Sequence, residues 1–258
     1  MAVQSGFAGF RARMLSGEIL AGTFVKTPSY ELVEVLAKSG LDFICLDAEH
    51  SPFDRGRLDA CLAIARALDF PTLVRVGSGS EENILQALDS GALGVVVPHV
   101  DTIAKAEAIA RASRFGHGGR GYAGSTRWAG FATRSMPDVM AQTDETVVIA
   151  QIEEPEAVDD ADRIAAVPGI DGLFIGPADL TVAYGADAGA AAQLDAALAK
   201  VGAACQAAGK AYMSFVADAS KAEAWTKHGM TMFFVASEHG FMLTRAKDQA
   251  QGIQALRG

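Results

Sequence analysis

Short runs rich in Val, Ile, Leu and Phe recur along the whole chain, at residues 19–26, 43–47, 72–77, 94–99, 147–153, 172–176, 211–217 and 230–236. The segments between them carry apolar residues three and four apart, which is the spacing of a helix with one buried face. Strands alternating with helices in this way predict parallel strands joined by crossover helices. Eight such units make a closed (β/α)8 TIM barrel the economical α/β solution, with an open doubly wound sheet as the other possibility. Barrels of this kind use about 250 residues for one domain. The 258 residues are therefore expected to form a single domain, 1–258.

The connecting segments carry start and stop signals. Thr27-Pro28 predicts a helix ending at Gly40, and Ser80-Glu81-Glu82 predicts one ending at Gly91. Ser220 with Glu223 reads as a capping box whose helix closes at Gly229. Leu32, Val35 and Leu36 fall on one face, ready to cover the sheet. One connection is long: about thirty residues after Arg111, including HGGRGYAGSTRWAGFATR, precede the fifth strand. Loops of this length are usually functional, so this one is expected to belong to the substrate site as a lid or subunit contact, with a plain surface excursion as the alternative.

Composition narrows the classes. Half the residues are apolar and 21% are charged, enough for a packed core. A formal net charge of −9 excludes a nucleic-acid surface, which needs clustered Lys and Arg. An acidic protein that binds an anion must concentrate positive charge locally, through a divalent metal or a buried Arg. Cys45, Cys61 and Cys205 are odd in number and far apart, so neither a disulfide framework nor a zinc knuckle is expected. No apolar run reaches about 18 residues, and the opening MAVQSGFAGFRARML lacks the form of a signal peptide; a soluble, cytoplasmic protein without membrane contact is expected.

Barrel enzymes place their chemistry at the C-terminal ends of the strands, so the polar residues there carry the functional reading. Strand two runs into Asp47, Glu49 and His50; strand three holds Arg75; strand five ends in Gln151 and Glu153; strand six runs into Asp179. Glu153 and Asp179, from adjacent strands, would hold a hard octahedral cation such as Mg²⁺ or Mn²⁺, or else would cap the helices that follow. Arg75 in an otherwise apolar strand needs an anion. That anion is either a substrate oxygen or a structural partner in Asp47 or Glu49. His50, with Asp47 three residues back, suits proton transfer near neutral pH. His99 and His239 could line the mouth, whereas His117 and His228 read as surface residues. No Lys lies within strand six for a Schiff base; Lys26 ends strand one and Lys210 starts strand seven. The ends of strands seven and eight lack a phosphate-binding glycine pair, and GSGS at residues 77–80 has no P-loop continuation.

Four segments in order, FICLDAEHSPFD, LVRVGSGSEENILQALDSGALGVVVPHVDT, GGRGYAGSTRWAGF and VVIAQIEEPEAVDDADRIAAVPGIDGLFIGPADLT, closely resemble the 4-hydroxy-2-oxoheptanedioate aldolase family, the class II pyruvate aldolases. The resemblance implies a barrel whose Glu153 and Asp179 hold a divalent metal chelated by pyruvate, with Gln151 beside them. It implies that Arg75 contacts the keto oxygen, that His50 with Asp47 handles the proton, and that the backbone of Gly176, Pro177 and Ala178 receives the carboxylate. Asp89 matches a position that reaches a neighbouring subunit's site. The family also implies a homo-oligomer, a hexamer built from dimers that exchange a C-terminal helix. The sequence departs from the pattern at Ser237-Glu238-His239, where a small G-x-D-like segment is expected. The implied activity is cleavage or formation of 4-hydroxy-2-keto acids from pyruvate or hydroxypyruvate and an aldehyde, with Mg²⁺, Mn²⁺ or Co²⁺. The alternatives are oxaloacetate decarboxylation or acyl-CoA ester cleavage on the same site, or a barrel that binds a ligand without catalysis.

Overall fold

A computed structural model describes residues 6–257. All eight apolar runs become strands: β1 (Leu20–Val25), β2 (Phe43–Asp47), β3 (Thr72–Arg75), β4 (Gly94–Val97), β5 (Val147–Ile152), β6 (Gly172–Ile175), β7 (Ala211–Val216) and β8 (Met232–Ser237). They pair in parallel, each with its neighbour in sequence, and β8 closes on β1. The (β/α)8 barrel is the architecture, and the open sheet is excluded.

The two-residue period of a strand sorts its side chains into two cores. Phe24, Phe43, Cys45, Leu73, Val96, Ile149, Phe174, Met213 and Phe234 fill the barrel interior. The residues between them, such as Ile44, Leu46, Val74, Val95, Val148 and Leu173, face the surrounding helices. Phe234 stacks at 5.0, 4.9 and 5.0 Å on Phe24, Phe43 and Phe174, so aromatic rings plug the barrel beneath its mouth. Gly22 makes room for this plug, since a Cβ there would lie 2.3 Å from the Phe43 ring. A helix at Phe10–Leu15 precedes β1 and closes the other end, with Phe10 5.7 Å from Phe43. The periodicity does not announce this helix because it buries just two residues, Phe10 and Met14.

Of three local expectations, two change and one holds. The helix after β1 runs Tyr30–Leu36, starting later than Thr27-Pro28 suggests. Ser80 caps Glu81–Asp89 as expected, accepting from the Asn83 N–H. Ser220 is not a cap: Asp218 accepts from its N–H and its hydroxyl, and the chain makes a short turn before the helix Ala222–Thr226. The Asp218 carboxylate two residues upstream, a stronger acceptor than a hydroxyl, wins that turn.

The long connection is the larger correction. It leaves the helix Ile103–Ala112 and enters β5 at its N-terminal end, so it lies at the opposite end of the barrel from the C-terminal ends of the strands. Arg120 pairs with Asp89 at 2.5 Å, Arg127 pairs with Asp59 at 2.9 Å, and Trp128 is buried there beside Val139. It is not part of this chain's own mouth. The three cysteines are free and buried. Among the described residues no helix is long and apolar enough to cross a membrane.

Candidate active site

The inward positions that are apolar deep in the barrel continue into polar residues at its C-terminal rim. On β2 the inward series Phe43, Cys45 leads to Asp47; on β3 Leu73 leads to Arg75; on β5 Ile149 leads to Gln151 and Glu153. Pairing of β2 with β3 sets Asp47 directly opposite Arg75.

Arg75 Nε and Nη2 donate to the two Asp47 oxygens at 3.0 and 2.8 Å, a bidentate pair. Nε also lies 3.3 Å from Glu49, and the guanidinium rests 4.5 Å over the Phe24 ring. Of the two partners considered for Arg75, the structural carboxylate is present, and both Asp47 and Glu49 supply it. Burial would raise the Asp47 carboxyl, but the hydrogen bonds and charge of Arg75, helped by Lys26 and the His50 N–H, hold it at about 2. Asp47 is therefore an anchored anion. It does not orient the His50 ring, whose nearest carboxylate is Glu49 at 3.6 Å; Asp47 reaches only the His50 backbone N–H, at 3.2 Å. The imidazole itself stands exposed at the rim.

Glu153 is buried, with one oxygen accepting from the His99 N–H at 2.8 Å and the other from the Gln151 amide. Desolvation raises its pKa, and the charge of Asp179 adds to the rise, against the His99 and Gln151 hydrogen bonds. Asp179, exposed on the first turn of the helix Pro177–Ala183, borders the same space: a Cβ on Gly176 would lie 3.3 Å from Glu153 Oε2 and 3.5 Å from Asp179 Oδ2. A side chain at 176 would be tight against Glu153, so the glycine lets the two carboxylates flank it closely. The helix beyond Gly176 receives no side-chain cap, so N–H groups of its first turn remain to meet an anion.

Glu49, His99 and Glu153 offer ligand atoms within 4.8 Å of one another, a group that could hold a metal ion. His99 is the residue that the strand-end reading leaves least defined. It takes a left-handed backbone, φ 54°, so that its N–H meets Glu153 while its Nδ1 lies 2.6 Å from Glu154. That hydrogen bond, against burial, raises its pKa, with the charges of Glu153, Glu154 and Glu49 adding. The Gln151 carbonyl oxygen has no hydrogen-bond donor among the described residues. Crowded carboxylates, a raised acid and an orphaned oxygen all ask for a cation at this point. The donor set is rich in hard oxygen, which fits a divalent metal ion.

Asp89 is not in this mouth. It ends the helix Glu81–Asp89 at the far end of the barrel, beside Arg120. It can serve a mouth only in another copy of the chain.

The fold and rim define a class: a parallel β/α barrel with an anionic, cation-seeking mouth beside a buried arginine. The chain matches the HpcH/HpaI aldolase/citrate lyase family over residues 20–244 and belongs to that family. A 4-hydroxy-2-oxovalerate aldolase of Novosphingobium aromaticivorans is 36% identical over 191 residues, 71% of this chain and 70% of the relative. A hydroxypyruvate/pyruvate aldolase of Roseovarius nubinhibens is 32% identical over 206 residues, 78% of this chain and 80% of the relative. The crystal structure of a family protein from Burkholderia cenocepacia superposes with a TM-score of 0.89 at 30% identity, covering 95% of this chain and 99% of that one.

Proposed function

We propose that this chain is a metal-dependent aldolase that cleaves or forms 4-hydroxy-2-keto acids, with pyruvate or hydroxypyruvate as one partner and an aldehyde as the other. The observation that carries this reading is the meeting, at one rim, of the buried Arg75 fork and the Glu153 and Asp179 carboxylates around Gly176. Glu153 and Asp179 would hold the ion. His99, engaged by Glu154 and favouring its charged form, is the poorer ligand of the group. When bound, a divalent ion such as Mg²⁺, Mn²⁺ or Co²⁺ supplies Lewis acidity next to the keto acid.

The chain's own residues supply the rest. Arg75 faces the keto oxygen and shares the negative charge that develops on it as the C3–C4 bond breaks. Asp47 fixes the plane of that guanidinium. Gln151 holds Glu153 in place, and the backbone at Gly176, Pro177 and Ala178 borders the substrate carboxylate. His50, exposed at the rim, takes the proton from the 4-hydroxyl in cleavage, or from C3 of the keto acid in synthesis. A coupled assay for keto-acid release over a panel of 4-hydroxy-2-keto acids tests the reading. Release from at least one member, suppressed by chelator, is expected; silence across the panel together with cleavage of an acyl-CoA ester would replace it.

The same reading extends to a homo-oligomer. From Phe241 to Arg257 every residue is exposed, and Phe241, Met242, Leu243, Ile253 and Leu256 present apolar surface uncovered by the described residues. A second copy that received the helix Glu238–Gln254 would bury those side chains, each contributing about 1.5–3 kcal/mol when fully covered. It would also give Asp89 a mouth to reach. Sedimentation should show an oligomer, a hexamer by resemblance, that falls to smaller species when the chain is truncated after Gly240. A monomer for the full chain would defeat the assignment.

A further inference from the structure

Lys26 has no role toward substrate in the assignments above, yet it stands on the same inward parity as Leu20, Gly22 and Phe24, one residue beyond β1. Its Nζ donates to Asp47 Oδ2 at 2.7 Å, the oxygen that Arg75 Nη2 reaches at 2.8 Å. The backbone beneath it is clamped. The Lys26 N–H meets both oxygens of Glu238 at 3.0 and 2.9 Å, and the Thr27 N–H meets one of them at 2.7 Å. Glu238 is buried and follows β8 in the segment that departs from the family pattern. That departure thus fixes the corner from which Lys26 leans over the mouth.

We propose that Lys26 is a positioning residue of the keto-acid site: it shares Asp47 with Arg75, so that the guanidinium keeps more of its positive charge for an anionic substrate at its third arm, Nη1. The proposal rests on the aldolase reading and deepens it. A bidentate Arg–Asp pair standing alone has spent its positive charge on its partner. Arg75 has Glu49 close by as well, and Phe24 covers one of its faces. Nη1 donates to none of the described residues. Asp47, Glu49, Glu153 and Asp179 gather at the rim, with Glu154 on the His99 ring and Glu238 beneath Lys26. Lys26 adds a positive charge among these carboxylates, at the oxygen of Asp47 that Arg75 also holds. Without it Asp47 draws on Arg75 alone among side chains, and low-dielectric surroundings make the repulsion of an entering carboxylate felt.

The test compares Lys26→Met, which keeps the stem and loses the charge, with Lys26→Arg, which keeps the charge. Pyruvate binding to Mn²⁺-loaded protein is measured by calorimetry, alongside Mn²⁺ affinity, the melting temperature and the split between kcat and KM. Lys26→Met is expected to weaken pyruvate by roughly 10- to 100-fold and to raise KM correspondingly, with Mn²⁺ affinity and melting little changed. Lys26→Arg is expected to recover most of the binding. In an Asp47→Asn background, Lys26→Met should add little, because the ammonium acts through that carboxylate. Unchanged pyruvate affinity in Lys26→Met overturns the proposal, as does a parallel loss of Mn²⁺ binding and folding that Lys26→Arg does not repair. A wild-type protein that binds pyruvate but cleaves no 4-hydroxy-2-keto acid would remove the aldolase reading and leave the Lys26 comparison standing on binding; one that binds no pyruvate would remove both.

Discussion

Stripping divalent metal with a chelator is expected to abolish keto-acid release, and Mg²⁺, Mn²⁺ or Co²⁺ is expected to restore it. Glu153→Gln should remain roughly 10³-fold down whether or not metal is added, because Lewis-acid stabilisation is worth several kcal/mol and about 1.4 kcal/mol is tenfold in rate. The substitution is nearly isosteric and removes a buried, desolvated charge, so the fold should survive it. A loss of activity cannot then be ascribed to unfolding, which circular dichroism checks. Full turnover in dialysed, metal-free protein would show that the carboxylates around Gly176 serve the scaffold alone.

The barrel was legible because its strands are nearly pure signals. Runs such as FICLD and GVVV are buried on both faces, so no competing helical period obscures them, and all eight registered in order. The rim was legible for the related reason that a charge at the end of such a run, as at Arg75 or Glu153, has no cheap place to hide. What remained illegible depended on direction and on pairing across the barrel. The loop rich in Arg and Trp has the composition of a lid, but it precedes β5, and the direction of the strand sends it to the far end. Asp47 and His50 are neighbours in sequence, yet Asp47 is held by Arg75 and Lys26 from adjacent strands. His99 ends an apolar run as Glu153 does, but its approach to Glu153 needs a left-handed backbone that no local pattern in VVVPHV announces. Glu238 departs from the family pattern, and its partners, the N–H groups of residues 26 and 27, lie more than two hundred residues away in sequence.

His50→Ala is expected to lose aldol cleavage by roughly 10²–10⁴, the range of a positioned acid–base group, while decarboxylation of oxaloacetate falls far less. Decarboxylation generates the enolate of pyruvate by releasing carbon dioxide, without first taking a proton from carbon or from a hydroxyl, so it bypasses the base. The position of His50 suits this division of labour. Its ring stands out in solvent, free of Asp47, beside the same Glu49 oxygen that Arg75 approaches, and is open to a hydroxyl arriving at the mouth. A ring so exposed also bears little on folding, so the variant should melt near the wild type. Glu153→Gln provides the contrast, since both reactions need the Lewis acid and both should collapse together. Inhibition of decarboxylation by added pyruvate verifies that each variant still binds the keto acid. Should His50→Ala lose both activities equally with pyruvate inhibition intact, His50 would be stabilising the enolate common to the two reactions, and the base would have to be sought in Glu49, the carboxylate beside its ring.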